Sequence, residues 1–166
     1  SDNPIYVDVE DQFGCQGYSD TITLNEFPLP NPIITGVGSY CEFDSIQLST
    51  DRYTNILWSD SSALRNNYFT VADNPIWVEV TDSNGCVNRS ADTLVIENQA
   101  PVIHLTGSPT YCQGGFAIMH AGAGFDTYLW SNGTTTALAQ FTEADNPVTV
   151  TVSNGFGCSS TSDTIL

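Results

Sequence analysis

The chain has 166 residues, 40% of them hydrophobic, which is enough for a packed core. Nineteen Asp and Glu residues face three arginines and no lysine, so the net charge is −16. This charge excludes nucleic-acid binding, because phosphate contacts need clustered Lys and Arg. No apolar run reaches the roughly 18 residues of a membrane span, so we expect no membrane insertion by this segment.

One stretch of sequence occurs three times. It reads DNPIYVDVEDQFGC from Asp2, DNPIWVEVTDSNGC from Asp73 and DNPVTVTVSNGFGC from Asp145, and every copy ends on a cysteine. The copies begin 71 and 72 positions apart. Other pairs, such as YCEFDSIQLS with YCQGGFAIMH, match at the same spacing. A fixed period of this length indicates repeated structural units.

The period divides the chain into three parts. We predict the C-terminal part of a truncated repeat over residues 1–26, and complete or nearly complete repeats over 31–98 and 101–166. These are called the N-terminal, middle and C-terminal segments below. The connectors FPLPNP and ENQAP are short and contain proline, which favours stiff linkers. Because the chain begins inside a repeat, we expect it to be a fragment. A single larger β domain is the alternative.

Each copy alternates apolar and polar residues. In the middle copy Ile76, Val78 and Val80 are predicted to face a core, while their neighbours face outward. Turn residues (SNG or NGFG) follow, and then a second strand-like run, ADTLVI or SDTIL. Short strands separated by turns, with no helical periodicity, predict an all-β fold built of small sandwich repeats of about 71 residues.

The sequence contains few candidates for chemistry. Acidic side chains raise the possibility of calcium, but no EF-hand-type loop exists and Asp73 and Asp82 are far apart, which favours a solvated acidic surface. His104 and His120 share no motif with a nucleophile, so we predict no enzyme activity, no catalytic residues and no cofactor. Tyr40 and Tyr111 adjoin cysteines and are expected to cover a disulfide, with sugar stacking as the alternative.

The order YC, then YLWSNG, then NPVTVTVSN with a closing GC resembles the immunoglobulin-like tandem repeats of large Bacteroidota cell-surface adhesins. Those proteins are exported by the type IX secretion system, and some serve gliding motility. The resemblance covers the whole chain and implies tandem immunoglobulin-like β-sandwiches on the cell surface. It also implies that Trp58 and Trp130 lie in the sandwich cores. The middle segment departs from the pattern with LWSDSS in place of LWSNGTT.

Four short motifs resemble the Asp-Ser/Thr-aliphatic sequon of the general O-glycosylation system of Bacteroidota. The candidate acceptor residues are Thr21, Ser45, Thr93 and Thr164. We expect three of them, Thr21, Thr93 and Thr164, to share one repeat position, so a simple preference of Thr for strand faces is the alternative explanation. Both interpretations remain open from the sequence.

The five cysteines, Cys15, Cys41, Cys86, Cys112 and Cys158, indicate an oxidising, extracellular setting. The number and spacing of the cysteines allow one disulfide within each repeat, Cys41–Cys86 and Cys112–Cys158. In an immunoglobulin sandwich, however, the first cysteine would stand at the start of the second strand and the second cysteine just past the end of the sixth. These positions lie at opposite ends of the fold, about 20 Å apart, whereas a disulfide needs Cα atoms within about 7 Å. In a head-to-tail array Cys41 could instead meet Cys158. This inter-repeat bond is slightly favoured.

Together these features predict a structural role. The chain is expected to be a disulfide-stabilised stalk segment of a giant extracellular adhesin, with neighbouring repeats of the same chain as its partners. The alternative is an accessory spacer, or a carbohydrate-binding module, of a secreted enzyme.

Overall fold

The computed structural model describes residues 4–36 and 38–166, so Asp2 and Asn3 of the first repeat copy lie outside the described residues. The described chain is built of short β-strands, with 3-10 turns at Val71–Asp73 and Glu143–Asp145. This confirms the predicted all-β class, with sheets consistent with a β-sandwich. No helix in the described ranges is long and apolar enough to span a membrane.

The N-terminal segment is a β-hairpin. Strands β1 (Asp8–Glu10) and β2 (Gln16–Tyr18) pair antiparallel, and a bridge between Ile5 and Ile22 continues the ladder. Its large apolar side chains, including that of Val9, are exposed. The hairpin therefore contributes no member to either hydrophobic cluster of the described chain.

The described part of the middle segment contains seven strands in three sheets. Strand β4 pairs antiparallel with β6, β7 lies between β5 and β8, and β3 runs parallel to β9. A bridge from Thr35 to Ser49 adds an edge to β4. The strands are β3 (Ser39–Cys41), β4 (Ile46–Ser49), β5 (Asn55–Trp58), β6 (Asn66–Phe69), β7 (Val78–Thr81), β8 (Val87–Arg89) and β9 (Ile96–Asn98).

The C-terminal segment repeats much of this arrangement. Strand β11 lies between β10 and β13, and β14 lies between β12 and β15, all antiparallel. A bridge from Val148 to Ile165 continues the β14 ladder, as the bridge from Ile76 to Thr93 continues that of β7. The strands are β10 (Thr106–Gly107), β11 (Ala117–His120), β12 (Thr127–Trp130), β13 (Leu138–Phe141), β14 (Val150–Ser153) and β15 (Ser159–Thr161).

The apolar residues of the described chain collect in two separate clusters, one in the middle and one in the C-terminal segment. Ile76, Val78 and Val80 are buried while the residues between them are only partly so, which confirms the predicted alternation. Burial of one strand face removes these side chains from water and is the main source of stability for so small a unit. The middle and C-terminal segments thus each have a core of their own.

Matching tryptophans lie at the centre of the two cores. Trp58 and Trp130 are each 1% exposed. The ring of Trp58 lies 5.1 Å from that of Phe69, and the ring of Trp130 lies 5.2 Å from that of Phe141. Each indole N–H donates to a backbone carbonyl six residues later, so its single polar group is satisfied inside the core.

Cys41 occupies a place that the sequence did not indicate. We expected the first cysteine of the repeat at the start of the second sandwich strand. In the structure Cys41 ends β3, which precedes β4 and pairs parallel with β9 through Cys41 and Asn98. Cys41 lies in a separate edge strand because three residues are enough to form one when the neighbouring strand, here β9, has backbone groups left to pair.

Candidate functional site: the disulfide junction

Cys158 lies at the end of a tight turn between β14 and β15. The side-chain oxygen of Asn154 accepts hydrogen bonds from the backbone N–H groups of Phe156 and Cys158, both at 3.1 Å. The N–H of Asn154 donates to the carbonyl oxygen of Cys158 at 3.0 Å. Gly157 has a φ of +82°, a conformation that other L-residues adopt only at a cost. The turn therefore fixes the direction of the cysteine.

The same turn precedes the cysteine in the other two copies, with aspartate in place of asparagine. Asp82 accepts from the N–H groups of Asn84 and Cys86. Asp11 accepts from those of Phe13 and Cys15. The N–H of Cys15, and then that of Phe13, holds the pKa of the Asp11 carboxyl below its usual value.

Cys41 is held by the parallel ladder of β3 and β9. The N–H of Glu42 donates to the carbonyl oxygen of Asn98 at 2.8 Å, and the N–H of Asp44 donates to the carbonyl oxygen of Cys41 at 3.0 Å. These bonds place the cysteine beside the last residue of β9, directly before the linker that leads into the C-terminal segment. The sulfur atom of Cys41 is thereby placed where the two segments meet.

A disulfide joins Cys41 to Cys158 across 117 positions of sequence, with the Cα atoms 5.4 Å apart. Cys158 is fully buried at this junction. The three remaining cysteines, Cys15, Cys86 and Cys112, are free thiols. The structure therefore contains the inter-repeat bond and neither of the two intra-repeat pairs.

The position of Cys86 explains why it does not bond to Cys41. Cys86 immediately precedes β8, whereas Cys41 lies beside Asn98 at the far end of β9. Cys86 and Asn98 are 12 positions apart, along a chain that is strand at Val87–Arg89 and Ile96–Asn98. At roughly 3.3 Å per residue an extended run of this length is several times the separation that a disulfide can bridge. The two cysteines belong to opposite ends of one segment.

Hydrogen bonds through the linker supplement the covalent bond. The side-chain nitrogen of Asn154 donates to the carbonyl oxygen of Gln99 at 2.9 Å. The N–H of Ala100 donates to the carboxylate of Glu42 at 3.3 Å. The linker is thus bonded to both segments that it connects, one contact on each side. Nothing in the sequence pattern marked Glu42, while the change from Asp to Asn at position 154 was an available signal for the donor role.

The candidates for chemistry are scattered in the structure. Among the described residues no group of three or more His, Cys, Asp or Glu side chains is arranged to hold a metal ion. His120 accepts a hydrogen bond at Nδ1 from the N–H of Gly122, at 3.1 Å. His104 is exposed and lies two residues before β10, whose Thr106 pairs with His120, and the described residues show no hydrogen bond between the two histidines.

The two tyrosines beside cysteines are built into the sandwich ends. Tyr40 is 7% exposed, and its hydroxyl accepts a hydrogen bond from the N–H of Val71 at 2.7 Å. Its burial excludes the sugar-stacking alternative for this residue. Tyr111 accepts in the same way from the N–H of Glu143 but is 38% exposed. The sequence had suggested that these tyrosines cover a disulfide or stack on a sugar. Neither expectation included the hydrogen bonds that their hydroxyls accept.

The glycosylation candidates are not equivalent. Thr21 and Thr164 are exposed, whereas Ser45 and Thr93 are partly buried. Thr93 occupies the bridge position that Ile22 and Ile165 occupy in the other copies. The expectation that three candidates share one repeat position is therefore wrong, because the extra Ala91 shifts the motif of the middle segment by one residue.

One contact of the middle segment was not predicted from the sequence. The guanidinium of Arg89 lies 4.3 Å from the ring centroid of Trp77 and also pairs with the Asp92 carboxylate. Trp77 is an outward-facing residue of the β7 ladder, so the arginine covers apolar surface that the strand alternation leaves partly exposed. The ion pair itself is exposed and contributes little to stability.

Comparison with known proteins adds no family to this description. No protein-family model matches the chain, and no curated protein matches it with significance.

Proposed function

We propose that this chain is a structural stalk segment of a large adhesin filament on the outside of a cell. One observation carries the proposal: the Cys41–Cys158 bond joins two segments, each with its own hydrophobic core. A bond within a segment stabilises that segment alone, whereas a bond between segments restricts how one moves relative to the next. Restricting that motion is what an array needs in order to hold a distal part away from a surface.

The hydrogen bonds of the linker support the same role. Gln99 and Ala100 are bonded to Asn154 and Glu42, so the connection between the segments is held by the backbone as well as by the disulfide. A flexible linker would lose this directional control over a few residues. The high negative charge supports the proposal further, because it keeps many similar modules from associating side by side.

The disulfide also supports the extracellular part of the proposal, since such bonds persist in oxidising compartments and are rare in the cytosol. The resemblance to Bacteroidota adhesin repeats adds export by a type IX system and a role in adhesion or gliding. We further propose that the segment has no catalytic activity of its own. Exposed Thr21 and Thr164 are the better placed of the candidate O-glycosylation sites.

Surface labelling tests the location. Antibodies raised against the folded chain are expected to label intact cells of the source organism without permeabilisation, and mild protease treatment of intact cells should remove the signal. Labelling that appears only after permeabilisation would contradict the proposal. Finding a catalytic domain beside this segment in its parent protein would instead favour the accessory-spacer alternative.

Small-angle X-ray scattering tests the stalk role. The oxidised chain is expected to sample a narrow range of end-to-end distances. The matched control is the double variant Cys41→Ser/Cys158→Ser, in which both cores remain intact and only the covalent junction is lost. A broader distribution in the variant supports the proposal. Identical distributions would show that the bond does not restrict the segments.

A further inference from the structure

The tripeptide Ser-Asn-Gly occurs three times in the chain, at residues 83–85, 131–133 and 153–155. Asparagine followed by glycine is chemically labile, because glycine has no side chain to hinder the attack of its backbone nitrogen on the asparagine amide. The three sites have nearly the same local sequence. Any difference in their reactivity must therefore come from the structure around each of them.

The side chain of Asn132 is held at both of its polar atoms. Its nitrogen donates to the carbonyl oxygen of Gln140 at 3.0 Å, and its oxygen accepts from the N–H of Thr134 at 3.1 Å. The N–H of Gly133 donates to the carbonyl oxygen of Trp130 at 2.8 Å. An attack of the glycine nitrogen on the side chain would have to break these bonds first, so the first reacting pair is protected.

The side chain of Asn154 is also held at both polar atoms, through its bonds to Gln99, Phe156 and Cys158. The N–H of Gly155 makes no hydrogen bond among the described residues, so the protection rests on the asparagine side chain. Deamidation at this place would yield aspartate, which has no donor for the carbonyl oxygen of Gln99. The bonds of the junction therefore preserve the residue that forms them.

Asn84 differs from both. It is exposed, and its side-chain amide makes no hydrogen bond in the described part of the chain, where only its backbone N–H donates to the Asp82 carboxylate. The N–H of Gly85 donates to the carbonyl oxygen of Asp82 at 3.3 Å, against 2.8 Å for the corresponding bond of Gly133. A Cβ atom added to Gly85 would meet no other atom within 4 Å. The side chain and the space around the attacking nitrogen are thus both free.

The position of each asparagine within its turn explains the difference. Asn154 is the first residue of its turn, whereas Asp82 takes that position in the middle segment and Asn84 lies two residues later, at the tip. The residue at the tip of the C-terminal turn is Phe156, which is 73% exposed although the disulfide joins both segments there. Phe13, at the tip of the N-terminal turn, is 80% exposed. Exposure at the tip is therefore a property of the turn itself.

We propose that Asn84 is a site of spontaneous deamidation, while Asn132 and Asn154 are protected. The backbone nitrogen of Gly85 loses its proton and bonds to Cγ of Asn84, the Cγ–Nδ2 bond breaks, and ammonia leaves. Water then opens the resulting succinimide ring at either carbonyl and gives aspartate or isoaspartate. The net reaction exchanges ammonia for water and needs no oxidant or cofactor. Both products add a negative charge, and isoaspartate lengthens the backbone between the two N–H groups that Asp82 accepts.

The test incubates the oxidised full-length chain in neutral buffer made with heavy-oxygen water, so that every residue modified during the incubation carries the label. Proteolysis and tandem mass spectrometry then give the rate at each asparagine. We expect Asn84 to react at least about tenfold faster than Asn132 or Asn154, because each of those must first lose two or more hydrogen bonds. The same chain, reduced and unfolded in urea, is the matched control. There the three rates should converge, since the structural protection is gone.

A second control moves the Asn-Gly pair within the middle turn. The triple variant Asp82→Asn/Ser83→Gly/Asn84→Phe gives this turn the residues found at positions 154–156. The side-chain oxygen at position 82 still accepts the two N–H groups of the turn, so the moved pair should react at least about fivefold more slowly than Asn84 does in the unmodified chain. An amide spectrum checks that the variant is folded.

The outcomes separate protection by the structure from an effect of sequence alone. Faster reaction at Asn84 in the folded chain, lost on unfolding and absent from the moved pair, supports the proposal. Equal or faster reaction at Asn132 or Asn154 in the folded chain overturns it. A preference for Asn84 that persists in urea, or a moved pair that reacts as fast as Asn84, overturns it as well.

Discussion

The side-chain nitrogen of Asn154 lies 2.9 Å from the carbonyl oxygen of Gln99, a residue 55 positions earlier in the chain. The oxygen of the same amide accepts the N–H groups of Phe156 and Cys158. One side chain therefore shapes the turn that presents Cys158 and fastens that turn to the linker. Only an amide can do both, because a carboxylate has acceptors and no donor.

Changing Asn154→Asp should weaken the junction while leaving the turn intact. The carboxylate keeps the two bonds to the turn but loses the donor to Gln99 and faces its carbonyl oxygen instead. The loss of one hydrogen bond corresponds to about 1 kcal/mol. We expect the equilibrium for forming the Cys41–Cys158 disulfide in glutathione buffers to fall roughly fivefold, measured by thiol alkylation and mass spectrometry.

The middle segment provides a matched control for this change. Asp82 shapes the equivalent turn before Cys86, which is a free thiol. The variant Asp82→Asn makes the reverse exchange, from aspartate to asparagine, in a turn that lacks the contact that Asn154 makes with Gln99. It should leave the disulfide equilibrium unchanged. A rise in the disulfide equilibrium for Asp82→Asn, similar in size to the fall for Asn154→Asp, would mean that charge, rather than the bond to Gln99, controls the junction.

Non-reducing peptide mapping should recover one crosslinked pair of peptides, containing Cys41 and Cys158. Before reduction, an alkylating reagent should label Cys15 and Cys112 rapidly, because both are exposed, and Cys86 more slowly, because it is partly buried. After denaturation and reduction all five cysteines should be labelled. Recovery of a peptide joining Cys41 to Cys86 would contradict the described junction.

Replacing Trp58 with alanine should unfold the middle core and spare the C-terminal one. Truncating a buried aromatic costs roughly 3–5 kcal/mol, a large share of the stability of a small unit. Because Trp58 and Trp130 belong to separate clusters, the resonances around Trp130 should remain native. Trp58→Phe, which keeps most of the apolar volume, is the milder control. Urea unfolding followed by NMR measures both. Loss of both cores together would show that they are coupled.

Thr50→Val should stabilise the middle segment. Thr50 is 3% exposed, and its hydroxyl oxygen has no hydrogen-bond partner among the described residues. Valine has nearly the same shape without the buried hydroxyl, so the free energy of unfolding should rise by about 1 kcal/mol. The C-terminal segment already carries Ala121 at the corresponding place. Thr50→Ser, which keeps the hydroxyl, should give no gain, and a gain there would refute the explanation.

Acid should weaken the turn at Asp145. Its carboxylate accepts bonds from the backbone N–H and the hydroxyl of Thr142, and the N–H, followed by the hydroxyl, holds the pKa of Asp145 below its usual 3.8. A lowered pKa in the folded state adds stability above pH 3.8, and this stability is lost as the pH falls through the folded value.

The matched variant for this effect is Asp145→Asn, which removes the titrating group. Protonation of the other acids also relieves repulsion in this highly negative chain, but it does so equally in both proteins. Urea midpoints measured between about pH 5 and pH 2 should therefore fall more steeply for the unmodified chain than for the variant. Parallel pH profiles would show that the carboxylate adds nothing.

The sequence was informative where the controlling interactions are local. Alternation of apolar residues predicted the buried face of β7, because every second side chain of a strand points the same way. The argument that the paired positions fall at opposite ends of one repeat also favoured the bond from Cys41 to Cys158 that the structure contains. That argument used strand direction and strand length, and both can be inferred from a sequence that repeats with a fixed period.

Other features depend on contacts that no short pattern encodes. The parallel pairing of β3 with β9 joins residues more than fifty positions apart through three-residue strands. The one-residue shift at Thr93 is visible only once the bridge to Ile76 is known. The link from Asn154 to Gln99 had a faint signal, since the two earlier copies have aspartate at that position.

The bond between Cys41 and Cys158 also determines how far the molecule can be stretched. Nearly all members of the two cores lie between these cysteines, inside a covalent loop. A pull on both ends of the chain passes through the sulfur atoms, so unravelling the loop adds no length while the bond is intact. Reduction would release 117 positions, about 400 Å of contour length at full extension. The stretch from Cys41 to Cys158 therefore has a fixed maximum length in oxidising surroundings. It becomes extensible when a reductant breaks the disulfide.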